Sequence, residues 1–222
     1  MKNILIIGGE GYIGNSLIDY FLKKKYKITS FDNLIYRQKN RKKSKNYDFI
    51  FGDLRNKKDF KKINNQLFDA VVILAGLVGD PITNKYKKIS LEINEKSIKE
   101  IFQNIYKNDL AKKLIFVSTC SNYGVSKKKY INETHKLKTL SPYAKSKVKV
   151  EKFILGLKRK PNFNPTILRF ATAFGLSKRM RYDLTVNEFT KSLFKNKYLE
   201  VSTTILGVRT AMLKILLDWS IK

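Results

Sequence analysis

Tyr143 and Lys147 stand four residues apart in the segment Tyr143-Ala144-Lys145-Ser146-Lys147. On a helix that spacing places a phenol and an ammonium on one face. Upstream, a β-branched run closes in a hydroxyl-rich stretch, Ser118-Thr119-Cys120-Ser121-Asn122-Tyr123-Gly124. A third cluster lies near the N-terminus, Gly8-Gly9-Glu10-Gly11-Tyr12-Ile13-Gly14. Gly9, Gly11 and Gly14 satisfy GxGxxG, and Gly8, Gly11 and Gly14 the wider GxxGxxG. Glycines here permit a tight turn, let backbone approach a pyrophosphate, and let a helix pack closely on a strand. The free N–H groups at the start of that helix then face the phosphates. Asp32 follows Gly14 by 18 residues. A carboxylate there accepts hydrogen bonds from the adenosine ribose hydroxyls and repels a 2′-phosphate, which favours NAD over NADP.

These groups need elements to hold them, and the hydrophobic pattern supplies an alternation of strands and helices. Strands are predicted at Lys2–Ile7, Lys27–Phe31, Asp48–Phe51, Ala70–Ala75, Leu114–Ser118 and Thr166–Phe170. Helices are predicted at Gly11–Lys24, with Ile13, Leu17 and Phe21 along one face, at Lys88–Lys107 and at Ser141–Leu157. Ser141 is placed to cap the last of these and Pro142 suits its first turn. The run Ala70–Ala75 is apolar throughout, as a strand covered on both faces should be. The order βαβ therefore predicts an α/β fold, a doubly wound parallel sheet of the Rossmann type. The stretch Arg37–Asn46 reads as a solvated loop.

The chain has 222 residues and a formal net charge of +28. Such a charge invites a nucleic-acid reading. It comes from 38 Lys against 8 Arg, scattered along the chain instead of gathered in one arginine stripe. With Ile and Asn also abundant, AT-rich codon usage accounts for the bias. No specific nucleic-acid partner is expected, only salt-sensitive sticking to polyanions. No run is apolar and long enough for a membrane span, and the N-terminus lacks the layout of a signal peptide. With a single cysteine, Cys120, the reading is a cytosolic protein without disulfides. His135 has no candidate metal partner in the sequence, and no metal site is expected.

Taken together, these motifs resemble the extended short-chain dehydrogenases, the NAD-dependent epimerase/dehydratase family typified by UDP-galactose 4-epimerase. The resemblance runs from Met1 to about Val201. Gly8–Gly14, with Tyr12 and Ile13, matches the family's GGxGxIG; Asp32-Asn33-Leu34 matches its DNL. Gly52-Asp53-Leu54 matches the GDL or GDI that contacts the adenine, and Leu74-Ala75-Gly76 the LAA loop beside the cofactor. Asn94 falls at a family Asn in the fourth helix, and Leu168-Arg169-Phe170 through Gly175 matches LRxxNxxG. The resemblance implies a nucleotide-sugar substrate and the following roles. Tyr143 takes a proton from a sugar hydroxyl while NAD accepts hydride from the same carbon. Lys147 lowers the Tyr pKa and holds the nicotinamide ribose, and Thr119 hydrogen-bonds the reacting oxygen. A phenol titrating near 10 is a poor base at neutral pH, so an adjacent cation is what this chemistry requires. A homodimer through the Ser141–Leu157 helix is also implied.

Several residues depart from the family pattern. Ile7 replaces the usual Thr before the glycines, Ile73 the usual His before LAA, and Thr172 a common Asn. Sugar dehydratases place Asp-Glu directly after the catalytic Thr; here Cys120 and Ser121 stand there, so epimerisation or simple oxidation/reduction is expected instead of water loss. Arg179 and Arg181, in Arg179-Met180-Arg181-Tyr182-Asp183, could meet a substrate diphosphate or form a solvated basic loop.

Residues 1–201 are read as the NAD-binding domain with the start of a substrate region, and the C-terminal substrate lobe is expected to be mostly missing. Residues 202–222 read as an atypical tail. Back-translation of Ile205–Leu217, with degenerate bases chosen and the frame shifted, yields Thr-Trp-Arg-Pro-Tyr-Cys-His-Val-Lys-Asp-Phe-Ala, close to the segment the family carries there. A frameshift near codon 202 is the expectation, which would leave turnover in doubt; the alternative is a short variant with a terminal helix at Met212–Ile221. Three other activities stay open: a non-catalytic NAD-binding regulator, a reductase of a small carbonyl, and a basic nucleic-acid binder.

Overall fold

A computed structural model describes residues 1–36, 43–126, 130–158, 160–161, 163–199 and 210–212. Six strands form one parallel sheet: β1 (Asn3–Ile7), β2 (Lys27–Asp32), β3 (Tyr47–Phe51), β4 (Phe68–Ile73), β5 (Ala111–Thr119) and β6 (Asn164–Phe170). Their order is β3-β2-β1-β4-β5-β6. The chain leaves β1 toward one edge, then returns to the other side of β1 at β4, and all five pairings are parallel. That reversal opens a crevice beyond the carboxyl ends of β1 and β4, where ligands of doubly wound sheets bind.

Alternation along the central strands explains why they read as continuous apolar runs. Ile4 and Ile6 face α1 (Tyr12–Lys23), packing with Leu17, Ile18 and Phe21. Leu5 and Ile7 face the opposite layer, with Ile98, Ile101 and Phe102 of α4 (Ile98–Lys107) and Val150 and Ile154 of α5 (Pro142–Leu155). Phe21, Phe102 and Phe116 are fully buried, each contributing about 1.5–3 kcal/mol through burial. Ser141 caps α5, its Oγ accepting from Ala144 N–H at 3.2 Å, with Pro142 in the first turn.

Four features differ from the sequence reading. The helix expected over Lys88–Lys107 is interrupted: α3 (Lys87–Leu91) passes through a π-helical turn, Glu92–Ser97, before α4. The π turn holds Asn94 inward, 2% exposed, with its amide on the Leu77 backbone; such turns cluster where a side chain must be re-aimed. A short helix, α2 (Asp80–Lys85), starts in the Gly79-Asp80-Pro81 segment. Past β6, the structure adds a helix, α6 (Thr185–Asn196), that the sequence pattern does not announce. It also adds the short strand β7 (Thr172–Phe174), which pairs in parallel with β8 (Thr210–Met212). Met212 thus lies in a strand, and the helix considered for Met212–Ile221 otherwise falls outside the described residues, as does most of Arg37–Asn46. Among the described residues, no helix is long and apolar enough to cross a membrane.

Candidate functional site

β1 delivers the chain directly into the glycine loop. Gly8 adopts φ +83°, and a Cβ there would lie 2.6 Å from the Ala75 backbone nitrogen. Gly14 lies so close beneath the loop that a Cβ would sit 2.6 Å from the Gly8 carbonyl oxygen. No other residue type fits both demands. The helix begins at Tyr12 behind Gly11, which provides no capping side chain, and its first turn carries no acidic residue. The opening N–H groups of α1 therefore face the crevice without an anionic competitor.

Glu10 shows what supports the loop from behind. It is 1% exposed, and its Oε1 accepts from Ser30 Oγ at 2.9 Å and from the Tyr47 hydroxyl at 2.5 Å. Burial, with the Glu10 carboxylate beside it, pushes the Tyr47 phenol up, so the ring remains a donor. The Glu10 N–H donates to Asp32 Oδ2 at 3.0 Å and the Leu34 N–H to Asp32 Oδ1 at 2.8 Å. Burial raises the Asp32 carboxyl above its ordinary value, partly offset by those two N–H groups. Asn33 Nδ2 donates to Asp53 Oδ2 at 3.1 Å, and Arg55 chelates the same carboxylate at 2.7 and 3.0 Å. Arg55 holds Asp53 down to about 2.

The groove has two ends. Asp32, Asn33, Asp53, Leu54 and Ala75 line the first; Thr119, Tyr143, Lys147 and Thr172 line the second, with Tyr12, Ile13, Gly14, Arg179 and Arg181. Gly8, Gly11, Leu74 and Gly76 belong to both and join them. A dinucleotide laid along this groove would put its adenosine at Asp32, its pyrophosphate over the glycine loop and its nicotinamide at Tyr143. The fit is thus physical: a cradle that Cβ atoms would fill, a helix start, and a carboxylate at the end of β2.

Asn94 is placed differently. Its Oδ1 accepts from Leu77 N–H and its Nδ2 donates to Leu77 carbonyl, both at 2.8 Å. It fixes the loop after β4 and lines a neighbouring pocket with Pro142 and Tyr143, so it positions the cofactor groove without lining it.

At the reacting end, β5 finishes at Thr119, whose Oγ1 lies 3.2 Å from Ser121 Oγ and accepts from Ser121 N–H. Lys147 is 3% exposed; its Nζ donates to the Val117 carbonyl at 2.9 Å and sits 5.8 Å from the centre of the Tyr143 ring. Burial pushes its ammonium down to about 8, opposed by the Glu151 carboxylate. Glu151, one turn further along α5, is 2% exposed. It accepts from Ser118 Oγ at 2.5 Å, Asn122 Nδ2 at 2.8 Å, and Arg169 Nη2 at 2.6 Å and Nε at 3.1 Å. This network locks β5, α5 and β6 together immediately behind Thr119.

Sequence reasoning also missed a clasp on the glycine loop. The Tyr12 hydroxyl donates to the Gly175 carbonyl at 2.6 Å and accepts from Asn187 Nδ2 at 3.1 Å. Asn187 is buried in α6 and also bonds Gly175 N–H and the Arg181 carbonyl. Ser177 Oγ donates to the Tyr12 carbonyl at 2.7 Å. No spacing in the sequence of α6 marks Asn187 as the partner of Tyr12. Among the described residues, no group of three His, Cys, Asp or Glu side chains is placed to hold a metal ion.

Sheet order, glycine cradle and Tyr–Lys groove together define a dinucleotide-binding protein of the Rossmann class. The chain belongs to the NAD-dependent epimerase/dehydratase family, whose model matches residues 4–213. It is 29% identical over 188 residues to the bifunctional UDP-glucose 4-epimerase and UDP-xylose 4-epimerase 1 of Pisum sativum, covering 78% of this chain and 53% of that protein. It is 30% identical over 201 residues to the probable UDP-arabinose 4-epimerase 3 of Arabidopsis thaliana, covering 79% and 44%. The chain thus spans about half the length of the curated relatives it matches. In fold it is similar to the UDP-N-acetylglucosamine 4-epimerase from Methanobrevibacter ruminantium M1, determined with UDP-N-acetylmuramic acid. The TM-score is 0.85 at 23% identity, over 98% of this chain and 71% of that one.

Proposed function

We propose that this chain carries the NAD-binding and proton-transfer machinery of a nucleotide-sugar 4-epimerase or a closely related sugar oxidoreductase. The observation that carries the reading is convergence: Thr119, Tyr143 and Lys147 come from two separate elements and line the same end of a groove whose other end holds Asp32. NAD, when bound, supplies the hydride acceptor and donor. The protein's part is proton movement and orientation. Tyr143 Oη accepts the proton of the sugar hydroxyl and returns it after the ring carbon is reduced again. Lys147, whose charge is buried beside the Tyr143 ring, stabilises the phenolate. Thr119 Oγ1 donates to the reacting oxygen and holds it near Tyr143. Cys120 and Ser121, in place of an acid–base pair, leave no group to drive loss of water, which favours epimerisation. The relatives' UDP-sugars make a UDP-hexose or UDP-pentose the substrate class to try first.

The test is a calorimetric NAD titration followed by a coupled assay with UDP-sugars, on the wild type and Tyr143→Phe. The expected result is NAD binding in both and turnover in the wild type alone. Undiminished turnover in Tyr143→Phe removes the phenol from the mechanism. NAD binding without turnover in either protein, persisting when the full reading frame is restored, favours a cofactor-binding regulator instead.

A further inference from the structure

Among the described residues, three cations line the groove: Lys147, Arg179 and Arg181. Two are already engaged. Lys147 is buried at the reacting end on the Val117 carbonyl, and Arg181 is chelated by Asp183 at 2.5 and 3.1 Å. Arg179 makes no ion pair among the described residues. Its guanidinium stacks instead on Tyr36, 3.8 Å from the ring centre. Tyr36 follows β2 and lines both ends of the groove, so the stacked pair forms part of the groove's lining. The Arg179 charge also bears on Asp32: burial raises that carboxyl, and the guanidinium is the smallest of the influences opposing the rise. The loop that carries Arg179 is fixed to the glycine loop through Ser177, which bonds the Tyr12 carbonyl and accepts from Arg179 N–H at 3.4 Å.

We infer that Arg179, held by Tyr36, is a cofactor-clamping residue that binds the pyrophosphate of NAD from the side opposite the glycine loop, instead of meeting the substrate diphosphate. A pyrophosphate brings two negative charges close to the Asp32 carboxylate, and the glycine loop answers them only with backbone dipoles. A guanidinium suits the remaining oxygens because its planar fork presents two parallel N–H groups to them. Stacking on Tyr36 pre-orients that fork and leaves its edge free to donate.

The inference rests on the cofactor reading, and titrations separate the two. Wild type is titrated with NAD, ADP-ribose, adenosine and UDP, and the same set is applied to Arg179→Ala, Arg179→Lys and Tyr36→Ala. Arg179→Ala is expected to weaken NAD and ADP-ribose by about 10–100-fold, the range for losing a charge-assisted hydrogen bond. Adenosine, which has no phosphate, and UDP should move less than about twofold by the same measure. Arg179→Lys should recover part of the loss, and Tyr36→Ala, at an exposed ring, should lose a few-fold without a change in melting temperature. If Arg179→Ala weakens UDP and leaves NAD within twofold, the residue serves the substrate and the clamp is overturned. If wild type does not bind NAD at all, the cofactor reading fails and the clamp with it. If Arg179→Ala misfolds, Arg179→Lys and Tyr36→Ala decide: unchanged NAD affinity in both overturns the clamp.

Discussion

Glu151→Gln is a test of whether the ionic network behind Thr119 holds the site together. Every neighbour of the carboxylate is a donor: the Ser118 hydroxyl, the Asn122 amide and the Arg169 guanidinium. Replacing it by an amide turns one acceptor into an NH2 group aimed at donors, and leaves the Arg169 cation, 18% exposed, without its counter-ion. Breaking one partner of a buried pair costs about 3–5 kcal/mol. For a chain of this size each kcal/mol moves the melting temperature by about 2–4 °C, which predicts a fall of roughly 6–20 °C. The assay is thermal unfolding by circular dichroism at low and high salt. The fall should persist in salt, because buried pairs are screened little. Glu95→Gln is the comparison: its partners Lys99 and Lys149 are 29% and 58% exposed, and the cost should stay near 1 kcal/mol. If Glu151→Gln falls no further than Glu95→Gln, or if salt abolishes the difference, the network is ornamental and the reasoning is wrong.

Two further perturbations follow from the site. Gly14→Ala would press a Cβ against the Gly8 carbonyl oxygen; overpacking of this kind costs about 1–3 kcal/mol, and NAD affinity measured by calorimetry should collapse with the loop's shape. Unchanged affinity would mean the loop has slack that the geometry does not show. Lys147→Met concerns pH. The ammonium is pushed down to about 8 in the folded chain, from its ordinary 10.5. Its burial therefore costs most below about pH 8, where both states are charged. Between those two values the unfolded chain binds more protons, so stability rises with pH, by on the order of 3 kcal/mol in all. Lys147→Met should be more stable than wild type at neutral pH and lack this rise, as read from urea unfolding across the window. An identical rise in the variant would assign it to other groups.

How much of this was readable beforehand follows from the range of each interaction. The strand at Ala70 announces itself because burial on both faces leaves an unbroken apolar run. The glycine loop, the Ser141 cap and the Tyr143–Lys147 spacing are local and can be read along the chain. The break at Glu92–Ser97 cannot, since it is set by the demand of the Leu77 backbone for the Asn94 amide, 17 residues away. Nor could Glu10 be told from an ordinary loop acid: its partners, Ser30 and Tyr47, meet it only once β2 and β3 are in register. Arg169 was visible as part of a motif, but its bond to Glu151 joins a strand to a helix and has no signature in spacing.

The clasp on Tyr12 bears on when the cofactor site is completed during synthesis. Tyr12 leaves the ribosome early with β1 and α1, yet the groups it grips, at Gly175 and Asn187, lie 163 and 175 positions later. Closing so long a loop is entropically costly and slow to pay back. At about 5–20 residues per second of translation, the glycine loop waits roughly 10–30 s for its fastening. A nascent chain arrested before Asn187 would hold the sheet and the phosphate cradle, but with Tyr12 not yet gripped by Asn187. Capacity to hold the dinucleotide firmly is therefore a late event in the life of this chain, although the residues that announce it are among the first to be made.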